Sequence, residues 1–142
     1  MGENIFESIK REEIMLPLQV LDSYANSFNE TFQGNLVFEI KRKLEDSSDP
    51  WSGLGVSLAN KEQEEKDMVV RAYIIAPGLN NYRLLVLKLV YKVSQVYPCS
   101  IENVLEEKTA ECKDEEGVKK CLEEIFTAQS FQRPVKMLLS QL

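Results

Sequence analysis

The chain has 142 residues, 44% apolar and 28% charged, with a net charge of −6 and no histidine. That length buries one full hydrophobic core and not two, so residues 1–142 read as a single domain, and the balance of apolar and charged residues is globular rather than disordered. An acidic chain disfavours nucleic-acid binding, which rests on clustered Lys and Arg. The missing imidazole excludes Ser-His-Asp and Cys-His catalysis within one chain and removes the commonest metal ligand.

Residues 3–12 carry Ile5, Phe6 and Ile9 among charges, which predicts a short amphipathic turn or helix docked on the body of the domain. The first residues have neither the basic nor the apolar region of a secretory signal, and no apolar run approaches the roughly 18 residues of a membrane span. A cytoplasmic protein without membrane contact is the expectation, and the sequon Asn29-Glu30-Thr31 is then without use. From Pro17, residues Val20, Leu21, Tyr24, Phe28 and Phe32 recur at helical spacing, and Gly34 is placed to close the helix in a left-handed conformation. Leu36, Phe38, Ile40 and Leu44 then alternate with Val37, Glu39, Lys41 and Lys43, the period of a strand with one buried face.

Residues 46–66 form a long, turn-rich connection holding Trp51 between Pro50 and two glycines. A large aromatic on a loop is a common anchor at protein interfaces, although it also serves to plug the edge of a core. A second strand covers Met68–Ala76 and ends at Pro77-Gly78-Leu79-Asn80-Asn81, a chain reversal. The segment Tyr82–Val96 is ambiguous: Lys88, Lys92 and Gln95 share a helix face, whereas Leu85, Leu87, Leu89, Tyr91 and Val93 alternate. Its Val and Tyr content favours one long strand. Asn80, Asn81, Tyr82 and Arg83 bring amides, a phenol and a guanidinium beside the turn, a cluster able to read a polar ligand; the plainer reading gives the asparagines to the turn and the other two to the strand.

Tyr97-Pro98 interrupts the ladder, and Ser100–Leu105 reads as a fourth short strand. Glu102–Glu124 contains nine acidic residues against four lysines, a surplus of five that accounts for most of the net charge. Such a flank steers a basic partner at low salt, or simply keeps the protein solvated. Asp114 is placed as an N-cap for a helix whose apolar stripe is Val118, Cys121, Leu122, Ile125 and Phe126. Ser130 is placed to cap a last helix with Phe131, Val135, Leu138 and Leu142 inward.

Helix, about four strands and two helices, without βαβ alternation, predict an α+β fold: an antiparallel sheet with its helices on one face. Cys99, Cys112 and Cys121 match no zinc spacing and read as ordinary reduced thiols. Gly53-Leu54-Gly55 has Leu58 where the third glycine of a dinucleotide fingerprint belongs. Asp114-Glu115-Glu116-Gly117 lacks the alternating ligands of a calcium loop. No cofactor or metal is implied, and the residues singled out for binding are Trp51, Asn80, Asn81, Tyr82 and Arg83. The sequence points to a small non-catalytic protein that engages another protein, with a homo-oligomer as the alternative and an enzyme using Glu39, Glu45, Asp46, Asp49 or Asp67 as a third reading.

Overall fold

A computed structural model describes residues 4–11, 13–46 and 66–142. Helix α1 spans Pro17–Phe32, and Pro17 opens it where a missing N–H costs nothing. Gln19, in the first turn, turns back so that its side-chain oxygen accepts from the Leu16 N–H at 2.8 Å. At the other end two residues, Gln33 and Gly34, are left-handed with φ of 47° and 89°, so the turn begins one residue before the glycine.

Five antiparallel strands follow: β1 Val37–Asp46, β2 Lys66–Ala76, β3 Tyr82–Lys92, β4 Gln95–Asn103 and β5 Lys108–Cys112. They lie side by side in chain order, each paired with its sequence neighbour. Two C-terminal helices, α2 Glu115–Thr127 and α3 Gln129–Ser140, complete the chain. Trp51 and the rest of the 47–65 connection lie outside the described residues.

The expected long strand over Tyr82–Val96 is two strands. It folds back at Val93-Ser94, with Lys92 opposite Gln95, and β4 runs on through the expected interruption at Pro98. Pro98, which follows a cis peptide bond, falls where the β3–β4 ladder loses register, so its missing N–H removes no ladder bond. The fourth strand is therefore Gln95–Asn103 rather than Ser100–Leu105, and β5 is a fifth.

A bulge in β3 changes which residues face inward. Tyr73 opposes Leu85 and Ala72 opposes Leu87, leaving Val86 as the extra residue. Leu87, Leu89 and Tyr91 pack with the core while Leu85, expected in the same file, turns to the opposite face; Val86 is buried, and its carbonyl accepts from the Val104 N–H at 3.1 Å.

All three helices pack on one side of the sheet. Val20 and Leu21 of α1, Val118 and Leu122 of α2 and Phe131 and Val135 of α3 share a single core with Phe38, Ile74, Leu87, Leu89 and Ile101. Burying each such aliphatic side chain contributes roughly 1.5–3 kcal/mol, which sets the helices against this face. Phe28 of α1 meets Phe38 edge-on, and Phe126 of α2 meets Phe38 from the other side. Asn29 adds a polar lock: its Oδ1 accepts from the Phe38 N–H at 2.8 Å and its Nδ2 donates to the Phe38 carbonyl at 3.4 Å.

Asp114 caps α2 as expected, accepting from the Gly117 N–H at 2.9 Å. Ser130 does not cap α3. Ala128 ends α2 and begins α3 in one extended residue, leaving Ser130 inside the helix with a buried, unpartnered hydroxyl. Pro134, further along α3, removes the donor that the Ser130 carbonyl would take in a regular helix. Three other expectations fail for one reason, that the chain runs past the body of the domain. Ile5, Phe6 and Ile9 remain 76%, 67% and 73% exposed, so the N-terminal segment is not docked; Leu44 at the far end of β1 and Leu142 beyond α3 are also exposed.

Candidate functional site

No described helix covers the face of the sheet opposite α1, α2 and α3, although Val69 and Asp67 of β2 on that face are themselves buried. The β1–β2, β2–β3 and β3–β4 registers place Lys41, Arg71 and Lys88 side by side across three strands, with Glu102 next on β4. Like charges directly opposite one another on neighbouring strands oppose pairing. Flanking anions offset part of this. Arg71 donates to Glu45 at 2.8 Å, Lys41 lies 3.6 Å from Glu39, and Arg83 is hydrogen-bonded to Glu39. The hydrogen bond from Arg71, and then the field of Arg71, Lys43 and Lys88, hold the Glu45 carboxyl below its usual range. A carboxylate held ionised in this way is poorly suited to donate a proton as a general acid.

The four described residues singled out near the reversal do not form one cluster. Asn80 and Asn81 are both left-handed, with φ of 57° and 58°, and supply the turn after a single 3-10 turn at Pro77–Leu79. Tyr82 and Arg83 are adjacent on a strand and so point to opposite faces. Arg83 reaches the bare face, where its guanidinium sits 5.0 Å from the centre of the Tyr73 ring, a cation–π contact. Tyr82 turns to the helix side and lines a groove of about 390 Å³ with Leu79, Leu84, Pro134, Met137, Leu138 and Gln141. Gly78 lies against the C-terminal residue: a Cβ there would come within 2.7 Å of Leu142 Cδ2, the end of an exposed side chain that can move aside.

Two further concavities lie on the helix side. One, about 190 Å³, is lined by Tyr24, Phe28, Phe32, Phe38, Phe126 and Phe131 together with Ser27 and Thr31. It is almost wholly aromatic and has no titratable group other than a phenol. The other, about 300 Å³, lies between β4, β5 and α2 and is bordered by Asn103, Glu106, Lys108, Thr109, Cys121 and Glu124. Asn103 shapes its floor: its Nδ2 donates to Glu106 Oε2 at 2.9 Å and its Oδ1 accepts from the Glu106 N–H at 3.3 Å.

Tyr97 ties the start of the chain to β4 by donating to the Met15 carbonyl at 2.7 Å, and burial pushes its phenol up to about 12. Among the described residues no group of three or more Cys, Asp or Glu side chains is arranged to hold a metal ion. None of the described helices is long and apolar enough to cross a membrane.

Sequence reasoning missed Arg71 altogether, read Lys41 as a wet-face strand residue, and noted Lys88 only as one of three residues sharing a helix face. Their alignment depends on strand register, which no local pattern reveals. Comparison with protein-family models, with curated proteins and with solved structures gives no match.

Proposed function

We propose that the chain is a small non-catalytic binding module whose bare sheet face docks an acidic segment of another protein. The observation that carries this reading is the row Lys41, Arg71 and Lys88 on a face that no described helix covers, in a chain whose net charge is −6. Beside that row, Tyr73 under Arg83 adds an aromatic surface and a guanidinium, residue types that anchor interfaces. The acidic surplus of the chain is concentrated in Glu102–Glu124, whose Glu102 borders the row beside Lys88, so an acidic ligand is repelled from the β4 end of the row and favoured at its β1–β2 end.

Docking through side chains suits this sheet better than strand addition at its edges. Edge strand β1 carries Lys41, Arg42 and Lys43, and edge strand β5 is short with Lys108 and Glu111, both features that discourage edge pairing. Two copies meeting face to face would set one basic row against another, which disfavours a homodimer through this surface.

An unbiased displayed-peptide library selected on the purified chain tests the proposal. The expected binders are enriched in Asp and Glu, perturb the amides of Arg71, Tyr73 and Lys88 in NMR spectra, and weaken with added salt. Lys41→Glu with Lys88→Glu is expected to cost about tenfold in Kd at low salt, on the order of 1.4 kcal/mol. Binders without acidic enrichment, or shifts confined to the groove around Tyr82 and Met137, would overturn it.

A further inference from the structure

The three cysteines, on three successive elements of the chain, lie between the sheet and α2. Cys99 on β4 and Cys112 on β5 are directly opposed across the strands, and Gly117, one turn before Cys121 on the same face of α2, stands against Cys112, where an added Cβ would lie 3.6 Å from Cys112 Cβ. The Cys112 thiol interacts with both other thiols. Cys99 and Cys112 are buried, whereas Cys121 is half-buried and borders the 300 Å³ pocket between β5 and α2. The group thus has one outward thiol, Cys121, and two inner ones, Cys99 and Cys112.

We infer that this cluster is an oxidative modification site, at which a neutral peroxide entering the pocket converts Cys121 and Cys112 into a disulfide that staples α2 to β5. In the first step the Cys121 sulfur attacks the peroxide, whose O–O bond breaks. One oxygen stays on sulfur as the sulfenic acid and the other leaves as water or an alcohol. The Cys112 sulfur then attacks Cys121, an S–S bond replaces the S–O bond, and water departs. The two thiols are oxidised by two electrons in total and the peroxide is reduced by the same two.

The surroundings select the reagent. Glu106 and Glu124 stand at the rim, with Lys108 the cation beside them, so anionic disulfides such as oxidised glutathione are disfavoured against an uncharged peroxide. Burial, together with the neighbouring Cys112, pushes the Cys121 thiol up to about 12 and keeps it protonated. Reaction is therefore slow and answers sustained oxidant rather than a brief pulse. Burial raises the Cys112 thiol as well, offset in part by its interactions with Cys121 and Cys99, so the second attack is also slow.

The experiment is incubation of the whole chain with hydrogen peroxide, alkylation in denaturant, and peptide mapping without reductant. Expected is the joint loss of two of the three thiols, a peptide linking Cys112 to Cys121, and recovery of both thiols with dithiothreitol. The variant Cys121→Ser, at the half-buried member of the group, is expected to keep Cys99 and Cys112 reduced over the same time. Survival of all thiols, a link between Cys99 and Cys112, higher oxidation of Cys121 with Cys112 still alkylated, or unchanged thiol loss in Cys121→Ser would each overturn the inference.

Discussion

The two faces of the sheet are built from the same five strands and share every backbone hydrogen bond, yet they have opposite characters. Toward the helices, Phe38, Ile74, Leu87 and Ile101 are almost completely removed from water. Away from them, Lys41, Arg71 and Lys88 form a charged row held at intervals by Glu39 and Glu45. The covered face is specified by burial, which is strong and penalises any one-residue slip, since a slip would turn the whole apolar set to water. The bare face is specified by register alone, through pairs individually worth only about 0.2–1 kcal/mol. Stability and recognition are thereby assigned to alternate residues of the same strands.

The sharpest way to break that comparison uses two leucines separated by the bulged Val86. Leu87→Ala, which opens a cavity in the core, is expected to cost about 2–5 kcal/mol in urea unfolding. Leu85→Ala, on the bare face, is expected to cost less than about 1 kcal/mol with an unchanged slope against denaturant. Equal losses would show that the second face is buried in solution and cannot serve as a free docking surface.

A second variant tests how the covered face is held at its edge. Asn29 bonds both backbone groups of Phe38, so Asn29→Ala is expected to cost about 1–2 kcal/mol. Asn29→Asp retains the acceptor for the Phe38 N–H but loses the donor to its carbonyl, and should fall between wild type and alanine. A loss below about 0.3 kcal/mol for the alanine variant would mean that aromatic packing of Phe28 on Phe38 suffices to seat α1.

Much of the covered face was legible in the sequence, and the reasons are local. Pro17, the apolar spacing to Phe32 and the glycine after it mark α1, and Asp114 with Val118, Leu122 and Ile125 marks α2. The β3–β4 hairpin was hidden because its turn, Val93-Ser94, contains no Gly, Asn, Asp or Pro and neither residue has a positive φ. The alternation around it then reads as one continuous strand. Strand β5 was hidden by its wet surroundings, since four of its five residues are exposed and only Cys112 is buried. The candidate site was less legible still. Arg83 was picked out for its side chain, but Tyr82 beside it faces the other way, and Arg71 becomes interesting only once β2 is aligned with both neighbours.

The same distinction bears on what the basic row does for the fold. Lys41 is exposed on an edge strand and stands opposite Arg71, so its charge adds repulsion where the sheet would be better served by an anion. Lys41→Glu is expected to raise stability by about 0.5 kcal/mol at low ionic strength, an increment that shrinks as salt screens the pair. Urea unfolding at two salt concentrations checks this. A gain in stability together with weaker binding of acidic peptides would separate the two roles at one residue, identifying the row as a feature maintained against the interest of the fold. A loss of stability would show that the contact of Lys41 with Glu39 outweighs its repulsion by Arg71, and the row would then need no explanation beyond folding.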